Sequence, residues 1–221
     1  MIPREPETEV MDLAHEAEAY AHADFADVNA AFVARLVELA DVDRAVAVDL
    51  GTGPADIPVR LSRLRPHWWI VAVDASPAML AFASERLEEE ILLGRIHLLL
   101  VDAKRTPFAE RSFDVVFSNS ILHHIDETAT FWKEVARIAK PGAVIFLRDL
   151  ARPGTLEEAC EIVRRYAGLE PALLQEEYRR SLLASWTPEE IRLQLREADL
   201  TSLSVTMSSD RHLDVFGRLP S

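Results

Sequence analysis

The sequence predicts an α/β fold, a mostly parallel sheet with helices on both faces, and three observations predict it. Short continuous apolar runs alternate with helical stretches, three successive runs end in an aspartate, and a glycine-bearing turn follows the first of them. Residues 24–40 open the periodic part, with Phe25, Val28, Phe32, Leu36 and Leu39 at the three- and four-residue spacing of an amphipathic helix. Residues 45–50 read as a strand containing Asp49, followed by a turn and a helix through Leu64. The pattern repeats with a strand over 68–73 ending at Asp74, a helix over 77–90 and a strand over 96–101 ending at Asp102. A strand over 113–118, a helix over 128–139 and a strand over 143–147 after the Pro141-Gly142 turn continue it. The last third changes character, with helices over 156–166 and 178–184. Thr187, Pro188 and the acids Glu189 and Glu190 then form the start signal of a further helix to Ala198. Two strands, over 200–207 and 212–219, finish the chain.

Composition narrows the function. The 221 residues, 49% hydrophobic and 28% charged, suit a single domain over 1–221. The net charge of −13, from 37 acidic and 24 basic residues, opposes unassisted docking on phosphate backbones, so no nucleic-acid partner is expected. Apolar runs such as 96–101 are far short of the roughly 20 residues that cross a bilayer. The first ten residues lack a basic start and an apolar signal core, which makes the cytoplasm the expected compartment. Cys160, the single cysteine, has no disulfide partner and is expected to serve packing. No metal is expected, because no His, Asp and Glu residues stand at a recognisable ligand spacing.

The chemistry-bearing residues fall where a parallel sheet binds ligands, outside the carboxyl ends of its strands. Gly51 and Gly53 let the backbone of the turn approach a ligand, and Asp74, 25 residues beyond Asp49, ends the next strand, where a carboxylate can accept from both ribose hydroxyls. Asp102 and Ala103 follow the third strand, an acceptor where an adenine amino group would lie. Asp56 stands where a dinucleotide fingerprint requires Gly or Ala, and its charge would repel a pyrophosphate. The pattern favours an adenosine-bearing ligand without phosphate over a nicotinamide cofactor.

With those residues in place, residues 49–149 resemble the class I S-adenosylmethionine-dependent methyltransferases. The run Val48-Asp49-Leu50-Gly51-Thr52-Gly53 resembles the family's first motif, Asp74 its ribose-binding acid and Asp102 its adenine-side acid. Phe113-Asp114-Val115-Val116-Phe117-Ser118-Asn119 resembles the fourth motif, Leu122-His123-His124-Ile125 the segment that follows it, and Lys140-Pro141-Gly142-Ala143 the turn before the fifth strand. Ala55 departs from the third glycine often found there, and as the next smallest residue it is expected to preserve binding of the methionine moiety. The resemblance implies a Rossmann-like seven-stranded sheet with the last strand antiparallel beside the fifth. It further implies a helical N-terminal cap over 1–40, a cofactor-binding core over 41–150, a helical cover inserted after strand five over 151–186, and a C-terminal helix and strands over 187–221.

It also implies S-adenosylmethionine as cofactor, S-adenosylhomocysteine as coproduct and a small-molecule methyl acceptor. The expected cofactor contacts are Tyr20, Asp49, Gly51, Thr52, Gly53, Asp74, Ala75, Met79, Asp102, Ala103, Asn119 and Ser120. His123 and His124 are the candidates for a catalytic base, since imidazole titrates near neutrality. His124, Asp149, Arg211 and His212 are the candidate acceptor contacts, with a structural ion pair the alternative for the charged members. Two other functions remain open: a catalytically inactive S-adenosylmethionine-binding regulator, and methylation of RNA or protein. The sequence also leaves the oligomeric state open, a homodimer included, as well as the atom that is methylated.

Overall fold

A computed structural model describes residues 2–7, 25–92 and 94–221. Among the described residues there are seven strands: β1 (Ala45–Leu50), β2 (Trp68–Asp74), β3 (Ile96–Leu100), β4 (Phe113–Asn119), β5 (Ala139–Leu150), β6 (Ser204–Met207) and β7 (His212–Arg218). They form one sheet in the order β3-β2-β1-β4-β5-β7-β6. Strands β1 to β5 pair in parallel, while β7 runs antiparallel to both β5 and β6, as the family resemblance implied. The chain steps from β1 outward to β3 and then returns to β4 on the other side of β1, which opens a crevice at the carboxyl ends of β1 and β4.

Among the described residues the helices are α1 (Ala26–Leu39), α2 (Asp56–Leu64), α3 (Pro77–Glu89), α4 (Thr128–Ile138), α5 (Leu156–Ala167), α6 (Ala172–Ala184) and α7 (Pro188–Glu197). Alternate strand residues feed two cores. Ala47, Ile70, Val115 and Phe117 pack with Phe32 and Leu36 of α1, Leu61 of α2 and Leu87 of α3. Val48, Leu50, Val116 and Ile145 pack on the opposite face with Phe131, Trp132 and Val135 of α4 and Ile191 and Leu195 of α7. Burial on both faces explains why these strands read as unbroken apolar runs. The N-terminal signal of α7 is a complete capping box, in which the Thr187 hydroxyl accepts from the Glu190 amide and the Glu190 carboxylate accepts from the Thr187 amide.

The structure differs from the sequence reading at several points. The Pro141-Gly142 turn lies inside β5, which begins at Ala139. Pairing with β4 slips between Phe113 and Val115, and Gly142 takes φ +75° to accommodate the irregularity. Helix α6 begins at Ala172, and Cys160 is exposed on α5. Of the apolar residues in the insertion, Val163, Leu182 and Leu183 are buried, whereas Leu156, Leu169 and Leu173 face outward. Residues 8–24 of the cap over 1–40 lie outside the described residues, and Tyr20 is among them.

Candidate active site

The crevice at the strand ends widens into a cavity of about 590 Å³, within the roughly 300–1,000 Å³ usual for small-molecule sites. Of the expected cofactor contacts, Asp49, Gly51, Thr52, Gly53, Asp74, Ala75, Met79, Asp102, Ala103, Asn119 and Ser120 all line it.

The turn after β1 is built by backbone geometry. Gly51 and Gly53 take φ +76° and +56°, the left-handed region that favours glycine, and a Cβ on Gly51 would sit 2.7 Å from Ile121 Cδ1 and push that side chain aside. The Gly51 and Thr52 amides both donate to the Val73 carbonyl, tying the turn to β2. Asp74 braces it further: Oδ2 accepts the Gly53 amide at 2.7 Å and Oδ1 the Ser76 amide at 2.9 Å. Both carboxylate oxygens thus take part in shaping the turn at the cavity wall. Beneath the turn, burial pushes the Asp49 carboxyl up to about 7, with the charge of Asp74 adding to the effect and the Thr52 side chain opposing it. Ala55 adopts φ +60°, the conformation that a third glycine would take without strain.

Asp56 is compensated more fully than its sequence position implied. Its carboxylate accepts from Asn29 Nδ2 at 2.9 Å, Arg60 Nε at 2.5 Å and Arg86 Nη1 at 3.1 Å. Both arginines line the cavity, so repulsion of phosphate by Asp56 loses its force as an argument.

The far end of the cavity carries the histidines. Leu122, His123 and His124 form a short 3-10 turn after β4. Asp149, at the end of β5, accepts the Leu122 amide on Oδ2 and faces His123 Nδ1 with Oδ1, each at 2.5 Å. Asp149 is buried behind His123 and does not line the cavity, which removes it from direct acceptor contact. Burial works against the charged forms of both partners. The mutual attraction and hydrogen bond outweigh it, holding His123 above its ordinary value and Asp149 below.

Arg4 and Glu7 were not read from the sequence, and the helical cover was read only as a segment, without its polar lining residues. The segment 2–7 runs alongside the histidine turn, where Arg4 donates to the His123 carbonyl at 2.9 Å and to Asp126 at 2.5 Å and stacks 4.0 Å over Trp186. Glu7 enters the cavity, its Oε1 lying 3.5 Å from His123 Nε2 and 3.3 Å from His124 Nδ1. From α5 and α6, Tyr166, Leu174, Glu177, Tyr178 and Ser181 supply the outer wall.

Arg211 and His212 also line the cavity. Arg211 lies 3.2 Å over the Tyr166 ring, and its Nη1 and the Tyr178 hydroxyl are buried with no hydrogen-bond partner among the described residues. Burial and the neighbouring Arg211 and Arg148 pull His212 down to about 4, so it is neutral near pH 7. Arg148 instead forms a buried bidentate pair with Asp214 at 2.6 and 2.7 Å, a structural role.

An open parallel sheet with a glycine turn and three strand-end carboxylates around one cavity defines a nucleoside-binding α/β domain. Comparison with known proteins specifies it: a family profile described as a methyltransferase domain matches residues 48–147. Malonyl-[acyl-carrier protein] O-methyltransferase of a Marinomonas species is 32% identical over 189 residues, covering 84% of this chain and 66% of the relative. Demethylmenaquinone methyltransferase of a Roseiflexus species is 30% identical, covering 48% of this chain and 43% of that one. The chain thus spans at most about two thirds of the length of these curated relatives. A crystal structure from Methanococcus maripaludis, described as a candidate S-adenosyl-L-methionine-dependent methyltransferase, superposes with TM-score 0.76 at 17% identity over 100% of this chain and 98% of its own. The chain belongs to the class I S-adenosylmethionine-dependent methyltransferase family, with its Rossmann-like fold.

Proposed function

We propose that this chain transfers the methyl group of S-adenosylmethionine to a small-molecule acceptor and releases S-adenosylhomocysteine. One observation carries the reading: the glycine turn and strand-end acids share a single cavity with His123, His124, Tyr178 and Arg211. Asp74 would receive the ribose hydroxyls and Asp102 the adenine amino group. Asp49 and Thr52 would support the methionine part, where Gly51 and Gly53 permit close approach. Ala75, Met79 and Ala103 would flank the nucleoside. Asn119 and Ser120, at the end of β4, would face the sulfonium, and Ser120 is held at φ +60° there.

The sulfonium is already reactive, so in-line positioning of the acceptor supplies most of the acceleration. On the acceptor side, His124, Tyr178, Arg211 and the neutral His212 form a mixed polar wall. His123 is committed through Nδ1 to Asp149, so any direct part it takes runs through Nε2. Helices α5 and α6 serve as a cover that keeps water from the transfer.

The names of the Marinomonas and Roseiflexus relatives, one for a malonyl group on a carrier protein and one for demethylmenaquinone, support an acceptor other than nucleic acid. The net charge of −13 supports the same exclusion. Among the described residues no helix is long and apolar enough to cross a membrane.

The test is incubation with methyl-labelled S-adenosylmethionine and a metabolite extract supplemented with acyl thioesters and quinols. Label on a small molecule is expected. Label on RNA or protein would overturn the acceptor class, and tight cofactor binding without transfer to any acceptor would favour a non-catalytic regulator.

A further inference from the structure

We propose that Glu7, His123 and His124 form a binding site for one divalent transition-metal ion, of which zinc fits best, at the acceptor end of the cavity. Two donors on one tetrahedral ion, each about 2.1 Å from it, lie roughly 3.4 Å apart. Glu7 Oε1 lies 3.5 Å from His123 Nε2 and 3.3 Å from His124 Nδ1, and all three donor atoms fall within 4.8 Å of one another.

Glu7 Oε1 is buried without a hydrogen-bond partner among the described residues, although its sister oxygen accepts from Ser181. A buried carboxylate oxygen left in that condition is costly unless a cation or donor completes it. The His123 ring is oriented as metal-bound imidazoles usually are: Nδ1 faces the Asp149 carboxylate at 2.5 Å, leaving Nε2 directed at Glu7. Asp149 is itself fixed by the Leu122 amide, so the supporting shell is rigid.

Local charge favours a cation, since the carboxylates of Asp149 and Glu177 both act on Glu7. Arg4 is the opposing charge, and it is occupied by Asp126 and by the carbonyls of His123 and Ala184. Two imidazoles and one carboxylate suit zinc over magnesium or calcium, which prefer all-oxygen sets. Three protein ligands on the cavity wall leave a fourth position open, suited to an oxygen of the acceptor. This goes beyond the methyl-transfer reading and does not depend on it.

The site is invisible in the sequence because Glu7 lies more than a hundred positions from the histidines and reaches them only when segment 2–7 lies along the histidine turn.

The test uses the full chain, stripped with a chelator, equilibrated with zinc and dialysed, with zinc per chain measured by mass spectrometry. Cobalt titration, followed by visible absorption, reports imidazole and carboxylate coordination directly. One ion per chain is expected, with affinity reduced about tenfold or more in both Glu7→Gln and His124→Ala and unchanged in His67→Ala. Thermal melts without metal show that the variants fold, and S-adenosylhomocysteine titration separates this outcome from the cofactor reading. Zinc well below one ion per chain, or retained equally by Glu7→Gln and His124→Ala, would overturn the proposal and leave a histidine–glutamate ion pair in its place.

Discussion

Asp149 Oδ1 lies 2.5 Å from His123 Nδ1 while Oδ2 accepts the Leu122 amide, so one buried carboxylate at the end of β5 fixes both the histidine turn and the imidazole it carries. Charged hydrogen bonds of this kind contribute about 1.5–3 kcal/mol each. Asp149→Asn is expected to lower unfolding stability by about 3 kcal/mol. Urea denaturation of variant and parent checks this, and an unchanged midpoint would sink the structural role.

Asp74 has a double task, since it accepts the Gly53 amide and is proposed to accept ribose hydroxyls. Asp74→Ala removes both, and loss of one charged hydrogen bond, about 1.5–3 kcal/mol, corresponds to a drop in S-adenosylhomocysteine affinity of about tenfold to a hundredfold, with a larger drop if both hydroxyls are released. Calorimetric titration of the folded variant measures it. An affinity equal to the parent's would refute the assignment.

Ala55 adopts φ +60°, a conformation that costs a non-glycine residue about 1–2 kcal/mol. Glycine relieves that strain but gives back part through the entropy of the unfolded chain. Ala55→Gly should therefore raise stability by about 0.5–1 kcal/mol, read as a higher urea midpoint. A clear loss of stability would show that the methyl group packs more favourably than its backbone strain costs.

Burial raises Asp49 from an ordinary value of 3.8 to about 7. The folded state therefore holds a proton that the unfolded chain releases, and the stabilisation this gives is full below about pH 4 and gone above about pH 7. Parent protein should lose stability relative to Asp49→Asn across that window, by up to about 4 kcal/mol. Parallel pH profiles for the two proteins would contradict a raised Asp49.

The sheet was legible because its strands are buried on both faces and punctuated by Asp49, Asp74 and Asp102, so apolar run and strand end coincide. Residues at the glycine turn and the ends of β1 to β4 were legible for the same reason, since topology alone carries them to one edge. Contacts created by distant segments were not. Arg4 and Glu7 look like a polar tail, and Tyr178 like an ordinary helical residue, until α6 and segment 2–7 meet over the histidine turn. Asp56 was misjudged because its pairing with Arg60 one turn along α2 was overlooked, although that spacing is visible in the sequence, and because Arg86 reaches it from α3, which no local spacing shows. Asp149 sits next to Arg148 in sequence, yet alternation along β5 gives it to His123 and gives Arg148 to Asp214.

If the cavity at the carboxyl ends of β1, β2 and β4 is built for S-adenosylmethionine, calorimetric titration of the purified chain with S-adenosylhomocysteine and with a nicotinamide dinucleotide will distinguish the two ligands. Saturable binding of one S-adenosylhomocysteine per chain is expected, with a melting temperature that rises with its concentration by mass action and no heat from the dinucleotide. Binding of the dinucleotide with no response to S-adenosylhomocysteine would contradict a cavity built for S-adenosylmethionine.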